Sequence, residues 1–141
     1  MKTHSKLLPA LLLLILVVPP VDADEPPKNG PHVQYWGNGK KWTEKHYKNG
    51  KQEGLWTWWH ENGQKKSEGN FKNGKPDGLE TKWHENGQKA TEVLFRNDKP
   101  DGLGTVWNEN GNKVLEIQYK DGKEISRKEF FRRRQSFGVA N

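Results

Sequence analysis

Histidine and glutamate recur in this sequence at a fixed spacing, and both residue types can carry chemistry. His60 and His84 are 24 positions apart, and four glutamates share that spacing: Glu44, Glu68, Glu92 and Glu116. Histidines bind zinc at about 2.1 Å, and two carboxylates about 5–10 Å apart can hydrolyse a glycosidic bond. Equivalent strands lie about 9.6 Å apart, so the two histidines do not easily reach one ion. A catalytic carboxylate pair is a singular feature, whereas the glutamates repeat. We therefore interpret the histidines as polar residues beside turns and the glutamates as a solvated column balanced by Lys66 and Lys82. No metal site is predicted.

Other catalytic arrangements are also missing from the sequence. It holds no nucleophile–base pair and no phosphate-binding glycine loop. The chain has no cysteine, which excludes disulfides, thiolate metal sites and a cysteine nucleophile. The sequence therefore predicts a protein without enzymatic activity and without a cofactor.

The elements that position these residues come from an internal repeat of 24 residues. Four blocks align without insertion or deletion: 35–58, 59–82, 83–106 and 107–130. Each block holds two short runs with apolar residues, separated by turns rich in Asn-Gly, which is a strong hairpin signal. A fixed period in this range indicates a repeat architecture. We predict an all-β fold, namely an elongated single-sheet antiparallel meander of stacked β-hairpins with about nine strands.

The loop length in each hairpin decides which side chains share a face. A two-residue loop at Asn62-Gly63 would place Leu55 opposite Asn70, whereas a three-residue loop with a glycine bulge shifts the register by one. We predict the three-residue loop, because it gathers the apolar residues on one face. That face would carry two aromatic ladders, with the glutamate column on the opposite face. The ladders are Tyr35, Trp59, Trp83 and Trp107, and Tyr47, Phe71, Phe95 and Tyr119.

The repeat resembles a known family. The segments FKNGKPDGLETKWHENG (71–87), YKNGKQEGLWTWWHENG (47–63) and FRNDKPDGLGTVWNENG (95–111) resemble the variant MORN repeat (membrane occupation and recognition nexus). The resemblance covers residues 33–124, with Asp98 replacing a glycine and the fourth copy losing its Gly-Leu after Lys123. It implies β-hairpins stacked into one curved sheet that acts as a scaffold. Some bacterial relatives are antitoxin-like, and the family implies no common reaction.

Three tryptophans depart from the repeat and form the predicted binding site. Trp56 stands where later blocks have Glu80 and Gly104, Trp58 where they have Lys82 and Val106, and Trp42 where they have Lys66, Ala90 and Val114. The predicted register projects all three from the otherwise polar face. Such an apolar cluster is either a patch that binds a partner or a surface capped by residues 24–34.

The carboxyl-terminal residues 125–141 form a basic aromatic tail. The basic residues are Arg127, Lys128, Arg132, Arg133 and Arg134, and they are interleaved with Phe130, Phe131 and Phe137. The pattern suits an edge strand, in which Phe130 and Phe131 take the places of Val106 and Trp107, and it equally suits an anionic membrane surface or cell-wall polymer. The net charge of +6 lies mainly here, since residues 24–119 are nearly neutral. Nucleic acid is therefore disfavoured as a partner.

The amino terminus has the layout of a secretory signal. Lys2 and Lys6 precede an apolar run of about 12 residues, followed by Val21-Asp22-Ala23. We interpret residues 1–23 as a cleavable signal peptide, residues 24–34 as a Pro-rich linker and residues 35–124 as the four repeats. The predicted location is the periplasm or the extracellular space. An uncleaved membrane anchor is the alternative.

These features predict an exported, non-enzymatic repeat scaffold that binds a protein, a glycan or an envelope surface. The alternative is an antitoxin-like protein that neutralises a toxin, which the family resemblance suggests. A cleaved signal peptide argues against neutralisation in the cytoplasm.

Overall fold

A computed structural model of the protein describes residues 25–130, which form one open antiparallel sheet of ten strands. The strands are β1 (Gly30–Tyr35), β2 (Lys41–Lys48), β3 (Lys51–Gln52), β4 (Gly54–Trp59), β5 (Lys65–Lys72), β6 (Lys75–Trp83), β7 (Lys89–Arg96), β8 (Lys99–Trp107), β9 (Lys113–Lys120) and β10 (Lys123–Glu129). Neighbours in sequence are neighbours in the sheet, apart from β3, which pairs with β2 beside β4. The all-β meander is therefore confirmed. The structure has one strand more than the nine predicted, because the residues before Trp59 form two strands, β3 and β4, separated at Glu53.

One set of turns is made by two residues in the left-handed conformation. Asn73 and Gly74 have φ of 52° and 83°, and Lys72 pairs directly with Lys75 across them. The same turn occurs at 49–50, 97–98 and 121–122. Two consecutive residues with φ > 0 match the right-handed twist of the flanking strands, which is why Asn-Gly is favoured there. These turns lie in a row at one end of the strands. We call this row the Asn-Gly edge, which is distinct from the outer strands β1 and β10.

The other set of turns is a three-residue loop, as predicted. His60 N–H donates to the Gln64 carbonyl at 2.8 Å, and Gly63 N–H donates to the His60 carbonyl at 2.9 Å. Gly63 has φ of 92°, a conformation that favours glycine. Equivalent loops occur at 37–39, 85–87 and 109–111. They line the opposite side of the sheet, which we call the loop edge.

The predicted register is wrong, although the predicted loop is right. Trp59 pairs with Lys65, but Trp58 pairs with Ser67, so Lys66 is an extra, bulged residue. This second irregularity returns the pairing to Leu55 opposite Asn70, the arrangement of a two-residue loop. The same bulge occurs in every repeat, at Trp42, Lys66, Ala90 and Val114. One added residue flips all the side chains beyond it to the other face.

The two aromatic ladders consequently lie on opposite faces. Tyr47, Phe71, Phe95 and Tyr119 define face A, which they share with Trp56 and Trp58. Trp59, Trp83 and Trp107 define face B, with Tyr35 at the equivalent position opposite Lys41. Rings of successive repeats still face the same way within each ladder. Each face thus has its own strip of large side chains.

The core of this single-layer sheet is small. Trp56 is 5% exposed, and its ring stacks on that of Phe71 with centroids 4.4 Å apart. The other buried side chains include Thr43, Thr57, Thr81 and Thr105. The last three of these lie between the glutamates of face B, so that Thr57 pairs with both Glu44 and Glu68. Without a second layer, burial comes from neighbouring strands alone.

The sheet begins inside the segment 24–34 that the sequence analysis takes as a linker. Strand β1 starts at Gly30, and Gly50 N–H donates to the Lys28 carbonyl at 2.7 Å. One repeat later, Gly74 N–H donates to the Gln52 carbonyl at 2.9 Å. Gly30 also stands 24 residues before Gly54, and both have positive φ. Residues 28–34 are therefore the start of the first repeat, and the Pro-rich composition concealed it.

The last described strand corrects the predicted place of Phe130. The pairing of β10 with β9 skips Ile125, and Glu129 pairs with Leu115 as Val106 pairs with Thr91 one repeat earlier. Phe130 consequently takes the place of Trp107, and its N–H donates to the Val114 carbonyl at 2.9 Å. The signal peptide assigned to 1–23 and the tail beyond Phe130 lie outside the described residues.

Candidate functional site: a tryptophan groove on face A

The three tryptophans that depart from the repeat lie together on face A. Trp56 and Trp58 are on β4, with ring centroids 5.4 Å apart, and Trp42 is the bulged residue of β2. Their exposures differ, because Trp56 is buried, Trp58 is half-buried and Trp42 is 39% exposed. Trp56 therefore belongs to the core, while Trp42 and Trp58 are accessible.

Trp42 and Trp58 form one wall of a shallow groove of about 430 Å³. Ser67 on β5 lies beside Trp58 and is paired on its other side with Lys82 of β6. The full lining is Trp42, Trp58, Lys66, Ser67, Glu80 and Lys82. The walls stand on strands two spacings apart, about 9.6 Å, with a small side chain between them. We call this feature the tryptophan groove.

The groove results from residues on the adjacent strands β4 and β5 that differ from their equivalents in the later repeats. The row along β5 is Ser67 and Gly69, where β7 has Thr91 and Val93, and β9 has Leu115 and Ile117. An ideal β-carbon on Gly69 would lie 3.6 Å from the Glu80 β-carbon, so a larger residue at 69 would contact Glu80. Large tryptophans beside small floor residues make a concave surface, whereas the later repeats have larger side chains at the floor positions.

Charged groups surround the indole rings of the groove. The Nζ atom of Lys82 is 3.0 Å from the Glu80 carboxylate. Lys45 Nζ lies 5.1 Å from the centre of the Trp56 ring and 5.9 Å from that of Trp58, within the range of cation–π attraction. The groove therefore offers an aromatic wall, a hydroxyl, a carboxylate and ammonium groups within one small area.

Residues 24–34 were proposed as a cap over the tryptophans. The structure describes this segment from residue 25 onward, and none of its described residues lines the groove. Residues 30–35 form β1 at the edge of the sheet, where the ring of His32 meets Tyr47 edge-on at 6.4 Å. The lining comes from β2, β4, β5 and β6. Trp56 is covered instead by Trp58 and Phe71.

His60 and His84 bind backbone groups of the next repeat. The Nε2 atom of His60 is 3.1 Å from the Trp83 carbonyl, and that of His84 is 3.0 Å from the Trp107 carbonyl. A carbonyl accepts, so each Nε2 carries the proton. At the equivalent place in the first repeat, Trp36 Nε1–H donates to the Trp59 carbonyl at 3.2 Å. These side chains join successive repeats.

The glutamate column lies on face B and has different partners from those predicted. Lys41 Nζ is 2.7 Å from the Glu44 carboxylate, and Lys65, Lys89 and Lys113 pair in the same way with Glu68, Glu92 and Glu116. The pKa of Lys41 is raised by its hydrogen bond to Glu44. Lys66 and Lys82 lie on face A and do not balance this column. Each lysine also covers a ring of the next repeat, such as Lys65 over Trp83 at 5.7 Å.

The part of the predicted basic tail that is described is a strand. Arg127 on β10 donates two hydrogen bonds to the Glu124 carboxylate, at 2.7 and 2.8 Å. These bonds raise the pKa of Arg127 and lower that of Glu124. Lys128 Nζ lies 4.9 Å from the centre of the Phe130 ring. Arg132, Arg133 and Arg134 fall outside the described residues.

The polar half of the groove was not predicted from the sequence. The predicted three-residue-loop register, which lacks the bulge at Lys66, places Ser67 and Gly69 on the face opposite Trp58. A signal was present in the unusually small side chains at 67 and 69, compared with Thr91 and Val93.

Between residues 25 and 130, no helix has the length and apolar character to cross a bilayer.

The comparison with known families identifies the repeat. No curated protein matches the chain. The sequence profile described as MORN repeat variant matches four consecutive segments, 28–49, 52–73, 76–97 and 100–121. These segments begin at the residue whose carbonyl accepts from the following Asn-Gly turn, so each match is one stacked unit of the sheet. They cover more than half of the sequence, and the chain therefore belongs to the MORN repeat variant family of repeat scaffolds.

Proposed function

We propose that this protein is an exported, non-enzymatic scaffold that binds an envelope glycan or protein through the tryptophan groove. The observation that carries the proposal is the wall of Trp42 and Trp58 beside the small residue Ser67. Exposed aromatic surface rimmed by polar groups marks a binding site more often than an arbitrary stretch of surface. The repeats supply the rigid frame, and the departures from the repeat supply the contact.

A glycan fits the groove better than an extended peptide. The floor strand β5 is paired on both sides, with β4 and β6, so its backbone groups are already used. A peptide could not add to the sheet there, and recognition has to come from side chains. A sugar ring presents an apolar face and a rim of hydroxyls. The indole of Trp58, the Ser67 hydroxyl and the Glu80–Lys82 pair complement both parts.

Export is supported by the residues at the amino terminus. The basic start, the apolar run of about 12 residues and the small residue Ala23 follow the pattern of a cleavable signal. An exported scaffold would meet envelope polymers directly. The test is to express the full chain and determine the amino-terminal residue of the exported form. A terminus near Asp24 supports export, whereas an intact Met1 on a membrane-bound chain supports the anchored alternative.

The binding proposal is tested with a variant in which two tryptophans are replaced by the residues at the equivalent positions of the next repeat. Trp42→Lys and Trp58→Lys introduce the residues found at 66 and 82, so the sheet already accepts them at these register positions. Trp56 is left in place, because it is buried and its loss would test folding instead. Val106→Lys, at the position equivalent to Trp58 two repeats later, is the control.

The chain beginning at Asp24 would be incubated with immobilised envelope polysaccharide and with an envelope protein extract. The double variant should lose retention while still unfolding in one cooperative transition, at a lower temperature than the control because Trp58 covers Trp56. If both variants are retained like the parent chain, the groove does not bind the ligand. A small protein that co-purifies independently of the groove would instead favour the antitoxin-like alternative.

A further inference from the structure

Lysines and arginines face each other directly across every Asn-Gly turn. The opposed pairs are Lys48 with Lys51, Lys72 with Lys75, Arg96 with Lys99, and Lys120 with Lys123. Like charges directly opposite in an antiparallel pair are destabilising. The arrangement occurs four times in the same register and costs stability each time. This cost indicates a role outside the sheet.

Few carboxylates relieve this repulsion. Asp101 is 3.2 Å from Lys120 Nζ and 3.9 Å from Arg96 Nε. Glu53 is used as an acceptor for the Asn73 N–H, at 2.9 Å. In the described part of the chain, six of the eight cations have no carboxylate within 4 Å: Lys48, Lys51, Lys72, Lys75, Lys99 and Lys123. The loop edge differs, because Lys41, Lys65, Lys89 and Lys113 are all ion-paired there.

Concave surfaces lie at the turns on the Asn-Gly edge. One hollow of about 200 Å³ is lined by Lys48, Asn49, Lys51, Glu53 and Asn73. A second, of about 450 Å³, is lined by Lys75, Arg96, Asn97, Lys99, Asp101 and Asp121. The carboxylates of Glu53, Asp101 and Asp121 reduce the positive charge in these hollows without cancelling it. Each hollow draws residues from neighbouring turns, so the basic surface is continuous between them.

We propose that the Asn-Gly edge binds a linear phosphate-bearing polymer, one anionic segment at each turn. Equivalent turns are about 9.6 Å apart, so four turns form a row about 29 Å long. Seven of the eight cations are lysines, which bind phosphate as point charges and do not require one fixed orientation. A flexible polyanion can follow such a row through the twist of the sheet. This inference does not depend on the tryptophan groove, which lies on face A.

The edge does not suit a bilayer or a nucleic acid. Peripheral membrane segments combine basic residues with apolar ones that enter the lipid, whereas the turns at 48–51 and 72–75 carry only Lys, Asn and Gly. Single-stranded nucleic acids bind through aromatic platforms in addition to charge. The aromatic residues Tyr47 and Phe71 precede these turns but belong to face A.

The test uses long-chain inorganic polyphosphate as the probe and the chain beginning at Asp24. The edge variant K51Q/K75Q/K99Q/K123Q removes one cation from each turn. The matched control K41Q/K65Q/K89Q/K113Q removes the same number of charges from the loop edge, one in each repeat. The edge variant should bind about tenfold more weakly or worse, and the slope of log Kd against log salt should fall by about 3. The control should stay within about twofold of the parent.

Each further outcome bears on the proposal. Tripolyphosphate can reach at most two neighbouring turns of the row, so it should bind much more weakly than the polymer. The edge variant should melt no lower than the parent, which separates lost binding from lost folding. The proposal is overturned if the control loses binding as much as the edge variant does. It is also overturned if phosphatidylglycerol vesicles or an oligothymidylate bind more tightly than polyphosphate at equal anionic charge.

Discussion

The side-chain amide of Gln64 lies directly over Gly87, where a β-carbon on that glycine would stand. Gln88 covers Gly111 in the same way one repeat later, and the Cδ atom of Lys40 lies 3.3 Å from the corresponding point at Gly63. The Asn62 Nδ2 also donates to the Glu85 carbonyl at 2.9 Å. The three-residue loops are therefore stacked on one another, and the repeats are joined at the loop edge as well as through strand pairing.

This stacking predicts different costs for the same substitution at two glycines. Gly39 and Gly87 have nearly equal φ, 80° and 83°, but Gly39 has nothing within 4 Å of its ideal β-carbon. Gly39→Ala should cost only the left-handed strain, about 1–2 kcal/mol. Gly87→Ala should cost about 0.5 kcal/mol more, because the new methyl group displaces the end of the exposed Gln64 side chain from its place over the loop. Urea unfolding of both variants measures the difference.

A double variant tests whether Gln64 causes the extra cost of Gly87→Ala. Adding Gln64→Ala to Gly87→Ala should remove most of the extra cost, because the methyl group then has room. Equal destabilisation by Gly39→Ala and Gly87→Ala would show that the loops do not press on each other.

A second prediction concerns Asp98, which replaces the glycine of the other Asn-Gly turns. It has φ of 71°, whereas the equivalent Gly74 has φ of 83°. Residues with a β-carbon are strained in this region, and aspartate tolerates it only in part. Asp98→Gly should therefore raise the free energy of unfolding, by about 0.5–1 kcal/mol.

The mirror substitution Gly74→Asp should lower stability by a similar amount, since it moves the strained residue to the previous repeat. Thermal melts of the two variants, made side by side, check the sign. A stabilising effect of Gly74→Asp would show that backbone strain does not decide stability at these turns.

The hairpins and turns could be predicted because each repeat contains its own local signals. Asn73-Gly74 fixes a two-residue turn, and Gly63 fixes a three-residue loop, each through the conformational freedom of the residues themselves. The bulge has no such signal. Its residues in the four repeats are Trp42, Lys66, Ala90 and Val114, which share no property that favours an extra residue. The strand that follows each three-residue loop was therefore assigned to the wrong face relative to the strand before it.

The candidate site was predicted in part for the same reason. Trp42 and Trp58 were predicted because they differ from the residues at the equivalent positions of the later repeats. Comparing repeats in this way does not require the register of strand pairing. Pairing Ser67 with Trp58 requires the register, and so the floor of the groove was missed. The start of the sheet at Gly30 could have been recognised by extending the 24-residue period backwards from Gly54.

A third prediction concerns alkaline unfolding. Burial raises the pKa of Tyr47, because the ionised phenolate would be poorly hydrated between its neighbours. A raised pKa in the folded state means stability that is complete below the unfolded pKa of about 10 and is lost as pH rises through the folded value. The parent chain should therefore lose stability between about pH 9 and pH 12, and Tyr47→Phe should reduce that loss.

The control for this prediction is Tyr35→Phe, which removes a hydroxyl from a ring that is 60% exposed. Its stability profile should follow that of the parent chain. The measurement is the urea midpoint at a series of pH values, with absorbance of the phenolate recorded in parallel. Identical alkaline slopes for Tyr47→Phe and the parent would contradict a contribution from Tyr47.

A final prediction compares two lysines whose charges are placed differently. Lys75 is exposed and lies directly opposite Lys72, whereas Lys65 pairs with Glu68 and covers the ring of Trp83. Lys75→Glu converts a repulsive cross-strand pair into an attractive one and should stabilise the sheet, by about 0.2–1 kcal/mol. Lys65→Glu makes the same change in net charge but breaks two favourable contacts, so it should destabilise. Both effects should shrink when the salt concentration is raised, since exposed charges are screened. Melting temperatures at low and high salt distinguish this account from one based on net charge, which requires both variants to shift in the same direction.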